Sequence, residues 1–289
     1  MLEKSGVIEE VFDVAYKWLG RIPGGLAVAT VVASTVLAAM VGVIGAAVVT
    51  MALVALPSML RRGYSPVLAV GTVMAGGTLG ILIPPSVLAI VYGLVANQSV
   101  GELYLGSVFP GLVLSGLYIL FSVGYALLNP KAAPRLSPEE TPTWSERWRA
   151  LRSIWSPLVL IFLVLGTIFL GLAAPTEAAA IGAFGAMVVA AIHRRLSWTI
   201  LRLALEQTAK ATAMVMWIVF GANAFVGFYI AQGGDRYVSE LLLGTGLSPW
   251  GILLLMQGIL IVLGMFLDWV GILLLAVPVF VPIIRDLGF

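Results

Sequence analysis

Gly76-Gly77-Thr78-Leu79-Gly80-Ile81-Leu82-Ile83-Pro84-Pro85-Ser86 (residues 76–86) interrupts an otherwise apolar run between residues 66 and 97. Pro84 has no amide hydrogen and its ring clashes with the carbonyl of residue 80, while Pro85 pushes Pro84 into an extended conformation. A helix entering at residue 66 must therefore unwind near the middle of the run. In lipid, irregular backbone is tolerated only where protein buries it or where it lines a cavity. The segment thus predicts a broken membrane helix with a purpose.

The surroundings of this segment identify the solvent as lipid. Of 289 residues 61% are hydrophobic and 10% charged, with a mean hydropathy of +1.07, whereas soluble domains carry about a quarter charged residues. The runs Leu103 to Leu128, Ile154 to Ala174 and Ala213 to Ala231 approach or exceed the ~20 residues that span a bilayer. Residues 1–22 hold seven charged side chains and no apolar central run, which excludes a cleavable signal peptide. With zero cysteines there are no disulfides or thiolate metal sites, and the single histidine, His193, sits beside Arg194 and Arg195 at a helix end as an interfacial residue. The net charge of +2 is carried in loops, which gives nucleic-acid binding no support.

Outward from the break, the fold class reads as all-α: a polytopic membrane protein with helical hairpins, interrupted helices and an inverted repeat. Residues 1–22 form an arm lying in the membrane interface, with Val7, Val11, Phe12, Ala15, Trp18 and Leu19 on one helical face. Residues 23–98 hold a first hairpin and the broken helix. The apolar stretch Gly24 to Leu60 is 37 residues long, about 55 Å as a single helix, and Gly42 and Gly45 offer the place to turn. Arg21 before it and Arg61-Arg62 after it put both ends on the cytoplasmic side. Residues 99–128 recross the membrane, and 129–152 form a Pro-rich, Arg-containing cytoplasmic connector with Trp144, Trp148 and Trp155 as interfacial anchors. Residues 153–231 give further spans, with Thr176 as a helix cap beside Glu177, and Ser197 capping an amphipathic stretch 198–210 ahead of a span at 211–231. Asn223 within that span reads as an interhelical hydrogen-bonding residue.

The second arm, 232–247, and second hairpin, 248–289, repeat the first in order. A shift of 225 residues superimposes Met40 on Met265, Pro57 on Pro282, Gly63 on Gly288 and Tyr64 on Phe289. Counting crossings, the second copy starts on the other side of the membrane, and inverted repeats with interrupted helices are the architecture of secondary transporters. Copy one continues into the Pro-Pro break whereas copy two stops at Phe289, and this asymmetry predicts a truncated chain.

The chemistry should lie where helices end inside the membrane. Unwound backbone offers carbonyl oxygens, hard ligands suited to Na⁺, and the following half-helix offers its positive end to an anion. The candidates in the break are Gly76, Gly77, Thr78, Gly80, Pro84, Pro85 and Ser86. Asp268, at the tip of hairpin two and opposite Val43 by the repeat shift, is an acid whose insertion costs about 2.5–3.5 kcal/mol at the bilayer centre and so is a further candidate. Nothing in the sequence resembles a catalytic dyad, a triad or a phosphate loop, so the chain reads as a transporter and not an enzyme.

The segment 76–86, with Pro175-Thr176-Glu177-Ala178-Ala179-Ala180-Ile181-Gly182 and Leu267-Asp268-Trp269-Val270-Gly271-Ile272, resembles the large membrane subunit of tripartite ATP-independent periplasmic (TRAP) transporters. The resemblance runs through the whole chain. It implies an elevator-type permease of a bacterial inner membrane, driven by sodium, with no cofactor besides Na⁺ as coupling ion. It also implies a small four-helix membrane subunit and a periplasmic solute-binding protein that delivers an organic acid. In that family sodium lies between each hairpin tip and the neighbouring unwound helix. This carries over onto backbone at Gly42, Val43 and Gly45 with Gly76, Gly77 and Thr78, and onto 267–271, including Asp268 and Gly271, with a partner beyond Phe289. A departure is that tip one offers Val43 and Ala46 where hydroxyl residues would be easier to rationalise. The competing readings are a stand-alone sodium/carboxylate symporter and an uncoupled channel or structural membrane subunit.

Overall fold

The computed structural model describes residues 2, 6–135 and 142–289. Residues 136–141 of the expected 129–152 connector, and 1 and 3–5 of the expected 1–22 arm, lie outside the described residues. The described chain is all-α, with thirteen α-helices and no strand. Five helices are long and apolar enough to cross a membrane, or six if a bent pair counts as one. They separate into two compact units, residues 1–89 with 100–202, and residues 90–99 with 203–289.

The first unit opens with α1 (Val7–Leu19). Its apolar face is covered by the chain itself: Val7, Ile8, Val11, Phe12 and Ala15 are buried in one cluster with Ala29, Ala33, Leu37 and Met51. An amphipathic pattern specifies one apolar face but not what covers it. Helices α2 (Gly25–Val41) and α3 (Ile44–Arg61) are split at Gly42, which adopts φ +63°. They run back along each other, since the Thr30 hydroxyl reaches Met59 Sδ at 3.6 Å. Alanines 27, 29, 33 and 38 on α2 and 47 and 55 on α3 are almost fully buried, and such small side chains let membrane helices approach closely.

Helix α4 (Pro66–Thr78) leads into a 3-10 turn over Leu79–Ile81, the irregular stretch 82–86 with a cis Pro84-Pro85 bond, and α5 (Val87–Ala96). The unwinding therefore begins at Leu79, one turn later than the expected start at Gly76, because the prolines act on backbone no further back than about one turn. α6 (Val100–Leu128) crosses α2 and the break, pairing Ser115 Oγ with Thr35 Oγ1 at 2.7 Å. α7 (Trp144–Ser153) is helical where a flexible connector was expected, started by a capping box between Thr143 and Glu146. Trp18 packs edge-on to both Trp144 and Trp148 with ring centroids 5.9 Å apart. α8 (Trp155–Phe169) and α9 (Pro175–Ile192) follow. Thr176 does not cap α9: Pro175 occupies its first position, and the Glu177 carboxylate accepts from the Ala174 amide at 2.9 Å. His193 ends α9 with Nδ1 2.9 Å from the Val189 carbonyl and Nε2 3.5 Å from Glu10.

Ser197 caps as expected, its Oγ accepting from Ile200 N at 3.3 Å, but the helix it starts, α10 (Trp198–Ala231), runs unbroken for 34 residues. No Pro lies between 198 and 231 to divide it. Asn223 is exposed on it. The second unit continues with α11 (Gly234–Leu243), α12 (Pro249–Gly264) and α13 (Trp269–Asp286), around a core of Leu242, Ile252, Met256 and Ile283.

The 225-residue repeat holds at the level of single hydrogen bonds. Shifted by 225, α3 (44–61) falls on α13 (269–286) at both ends. After α3, Gly63 at φ +77° lets Gly63 N reach Leu60 O and Tyr64 N reach Met59 O; after α13, Gly288 at φ +83° lets Gly288 N reach Arg285 O and Phe289 N reach Ile284 O. This is the same C-terminal motif twice, and it needs a glycine in the left-handed region. At the start of the hairpins, Leu26 N donates to the buried Tyr64 hydroxyl at 3.2 Å, whereas its counterpart Gly251 N donates to Ser248 Oγ at 3.2 Å. The residue that corresponds to Ser248 is Pro23, which has no side-chain acceptor, so the tyrosine supplies the oxygen from across the fold. The Phe289 ring, lacking a hydroxyl, packs edge-on to Trp250 at 5.1 Å. Burial pushes the Tyr64 phenol above its ordinary pKa, so it stays a neutral hydroxyl. Tyr64→Phe leaves the buried Leu26 amide unsatisfied and should cost about 1–3 kcal/mol, measured as a lower melting temperature in detergent.

Candidate functional site

Two helix breaks of the first unit meet. The tip of the first hairpin, Gly42-Val43, lies against the end of the α4–α5 break: a Cβ on Gly42 would sit 2.6 Å from the Pro85 carbonyl oxygen and 3.8 Å from Ser86 Cα. One on Gly80 would sit 3.5 Å from the Val43 carbonyl oxygen and 3.7 Å from Ala47 Cβ. Gly42 is buried and its left-handed backbone turns the chain from α2 into α3. Both breaks are backed by apolar packing, since Leu79 and Ile83 are buried with Val31 and Ala38 of α2.

The polar groups at the break are held in place by the protein. Ser86 is 1% exposed, its hydroxyl donates to the Ile81 carbonyl at 2.5 Å, and its own carbonyl accepts from Tyr104 Oη at 3.3 Å. Pro84 is buried, and Pro85 half-buried. Thr78 is exposed at the end of α4; its hydroxyl donates to the Ala75 carbonyl at 2.7 Å and lies 3.3 Å from Tyr118 Oη. Val43 is extended at φ −137° and supplies no side-chain cap, so the first amides of α3 meet no cap from it. Gly45, in that first turn, is exposed with nothing within 4 Å of a Cβ position. The site therefore joins carbonyl oxygens from the tip and the break with the amino end of a helix, a combination suited to a cation and an anion side by side. Among the described residues no group of three His, Cys, Asp or Glu side chains converges, so a cation here must be taken mainly by backbone and hydroxyl oxygens.

Of the residues singled out in the sequence, Gly42, Val43, Gly80, Pro85 and Ser86 are brought together, with Pro84 and Thr78 flanking. Gly76 and Gly77 are helical and buried, and they face the stem of the hairpin and not its tip. A Cβ on Gly76 would sit 2.5 Å from Ser34 Oγ, and one on Gly77 would overlap Val48 Cγ2 and lie 3.2 Å from Val48 Cα. In the second unit Asp268 caps α13, accepting from Val270 N at 3.2 Å, and is exposed at the break between α12 and α13; Gly271 has open space around it. Asp268→Asn keeps an N-cap acceptor, so it should change stability by only a few tenths of a kcal/mol, whereas Asp268→Ala should cost about 1 kcal/mol. Thermal denaturation of the two variants distinguishes a cap from a purely electrostatic role. Sequence reading overlooked Ser34, Tyr104 and Tyr118, whose partners lie 18 to 42 residues away. No local signal marks such contacts.

A family model described as the tripartite ATP-independent periplasmic transporter, DctM component, matches residues 1–289. The C4-dicarboxylate TRAP transporter large permease protein DctM of Pseudomonas aeruginosa is 35% identical over 285 residues, covering 98% of this chain and 66% of that protein. The protein of the same description from Vibrio cholerae is 32% identical, covering 99% and 67%. The ectoine/5-hydroxyectoine large permease UehC of Ruegeria pomeroyi is 30% identical, covering 96% and 64%. The chain thus spans about two thirds of the length of the curated relatives it matches. A match over every residue, on an all-α membrane architecture with paired hairpins and a Pro-Pro break, makes this chain a member of the DctM family of TRAP transporter large permeases.

Proposed function

We propose that the chain works as the large permease of a sodium-coupled TRAP system that carries a small organic acid across a bacterial inner membrane. In this reading a small four-helix subunit braces it and a periplasmic binding protein delivers the solute. The observation that carries the proposal is the meeting of the Gly42 tip with the Pro85 carbonyl. Oxygen ligands for Na⁺ come from the tip and the break, and the open amino end of α3 faces the carboxylate of the solute. Transport then follows the elevator pattern, with hairpin and broken helix moving together. Sodium tightens the tip against the break, which couples ion to solute.

The test is solute uptake into proteoliposomes holding the complete complex, titrated with sodium, with and without the binding protein. The double variant Pro84→Ala/Pro85→Ala allows the helix to re-form and pair the carbonyls; its sodium half-saturation should rise about tenfold or more, as removal of ~1.4 kcal/mol of ion binding requires. An unchanged half-saturation would remove this break as the ion site. Uptake of free solute without any binding protein would favour a stand-alone symporter, and flux indifferent to sodium would favour a channel. Sidedness is tested separately, since the chain has no cysteine: Gln98→Cys should react with an impermeant thiol reagent only from the periplasm and Arg194→Cys only from the cytoplasm.

A further inference from the structure

We propose that the junction of α7 and α8 is a binding site for an anionic phospholipid, with the headgroup phosphate on Arg152 and the acyl chain along Trp155 and Leu158. α7 buries Arg147 and Ala150, while Trp148, Leu151 and Arg152 are exposed on another of its faces, and Trp155, the first residue of α8, is exposed just beyond them. Trp148 is 58% and Trp155 70% exposed, although both are large and aromatic. Together with Leu158 these side chains line a groove of about 720 Å³. The helices bend by 47° at this point.

Composition changes abruptly across the bend. α7 carries Glu146, Arg147, Arg149 and Arg152, and α8 carries no charged residue. Arg152 therefore stands where a polar interface gives way to hydrocarbon, the depth at which tryptophan is enriched and lipid phosphates lie. The charge is complementary to an anion: Glu146, the sole acid of α7, is occupied by the Thr143 amide at 2.7 Å and hydroxyl at 2.9 Å. The Thr143 contacts hold that carboxyl below its ordinary pKa. A stripe about two turns long with a guanidinium in its middle suits a molecule that is anionic at one end and apolar at the other. An apolar partner helix would have to desolvate Arg152 with nothing to neutralise it.

The test uses the full chain in detergent and follows quenching of tryptophan fluorescence by phosphatidylglycerol or phosphatidylcholine with brominated acyl chains. Phosphatidylglycerol should half-saturate at about fivefold lower concentration, the preference that ~1 kcal/mol per arginine near a membrane surface gives. Arg152→Gln should abolish that preference, Arg152→Lys should keep most of it, and Trp155→Leu should reduce the quenching amplitude. Inorganic phosphate should not compete, because the apolar groove contributes only to a lipid. Equal half-saturation for the two lipids, an undiminished preference in Arg152→Gln, or displacement by inorganic phosphate would each overturn the proposal. So would protection of Leu151→Cys from a thiol reagent by the small membrane subunit but not by phosphatidylglycerol, which would assign the stripe to a protein contact.

Discussion

Gly42→Val should abolish sodium-driven uptake while leaving the chain inserted and helical. A β-branched residue at φ +63° carries strain of about 1–3 kcal/mol, and its Cβ would also lie 2.6 Å from the Pro85 carbonyl oxygen. The neighbour is backbone fixed by Leu79 and Ile83 in their cluster, so the tip must withdraw. Withdrawal separates the oxygens of the tip and of the break that the ion is proposed to bridge. A loss of about tenfold to a hundredfold in uptake at limiting sodium corresponds to the strain alone. Gly42→Ala, with less bulk, should retain more activity. Wild-type sodium dependence in Gly42→Val would show that the close approach of tip and break has no part in coupling.

Gly77→Ala should destabilise the first unit, and Val48→Ala should rescue it. The Cβ added at 77 overlaps Val48 Cγ2 and lies 3.2 Å from Val48 Cα, so α3 and α4 must move apart. Overpacking of this kind costs about 1–3 kcal/mol. Removing the Val48 methyl groups vacates that volume, and the double variant should recover most of the loss, giving a coupling energy of about 1 kcal/mol or more by a double-mutant cycle. The readout is thermal unfolding in detergent for the four proteins, alongside sodium titration of uptake. Independent, additive effects of Gly77→Ala and Val48→Ala would refute the packing role. A shift in sodium half-saturation with no change in stability would instead return Gly77 to the ion site.

These two glycines show how far local sequence reaches. At Gly42 the sequence signal came within a few residues: an apolar stretch too long for one span, with basic residues at both ends, has to turn. Gly42 and Gly45 near its middle can both adopt left-handed backbone, but only Gly42 does, while Gly45 lies in α3. At Gly77 the same residue type has a different use. Whether glycine marks unwinding or close packing depends on what crosses it, and Val48 arrives from the preceding helix, 29 residues away. Thr78 is similar, since its hydroxyl is engaged by Ala75 and Tyr118.

A lipid solvent, the all-α class, a turn at Gly42 or Gly45, the break ahead of Pro84-Pro85 and the 225-residue repeat are legible without the structure, because each rests on bulk composition, on rules acting within about one helical turn or on the order of elements along the chain. The repeat was legible from the order of its elements, and among its sparse identities Gly63 and Gly288 mark the position in each copy where the C-terminal motif demands positive φ. Tertiary structure alone decided which partner each surface meets: α1 lays its apolar face on α2 and α3, the Tyr64 hydroxyl caps α2 where Ser248 caps α12, and the tip settles on Pro85 while Gly76 and Gly77 take the stem. An apolar face, a hydroxyl or a missing side chain fixes what a residue can contact, but its actual neighbour comes from chain tens of residues away, and no local pattern carries that distance.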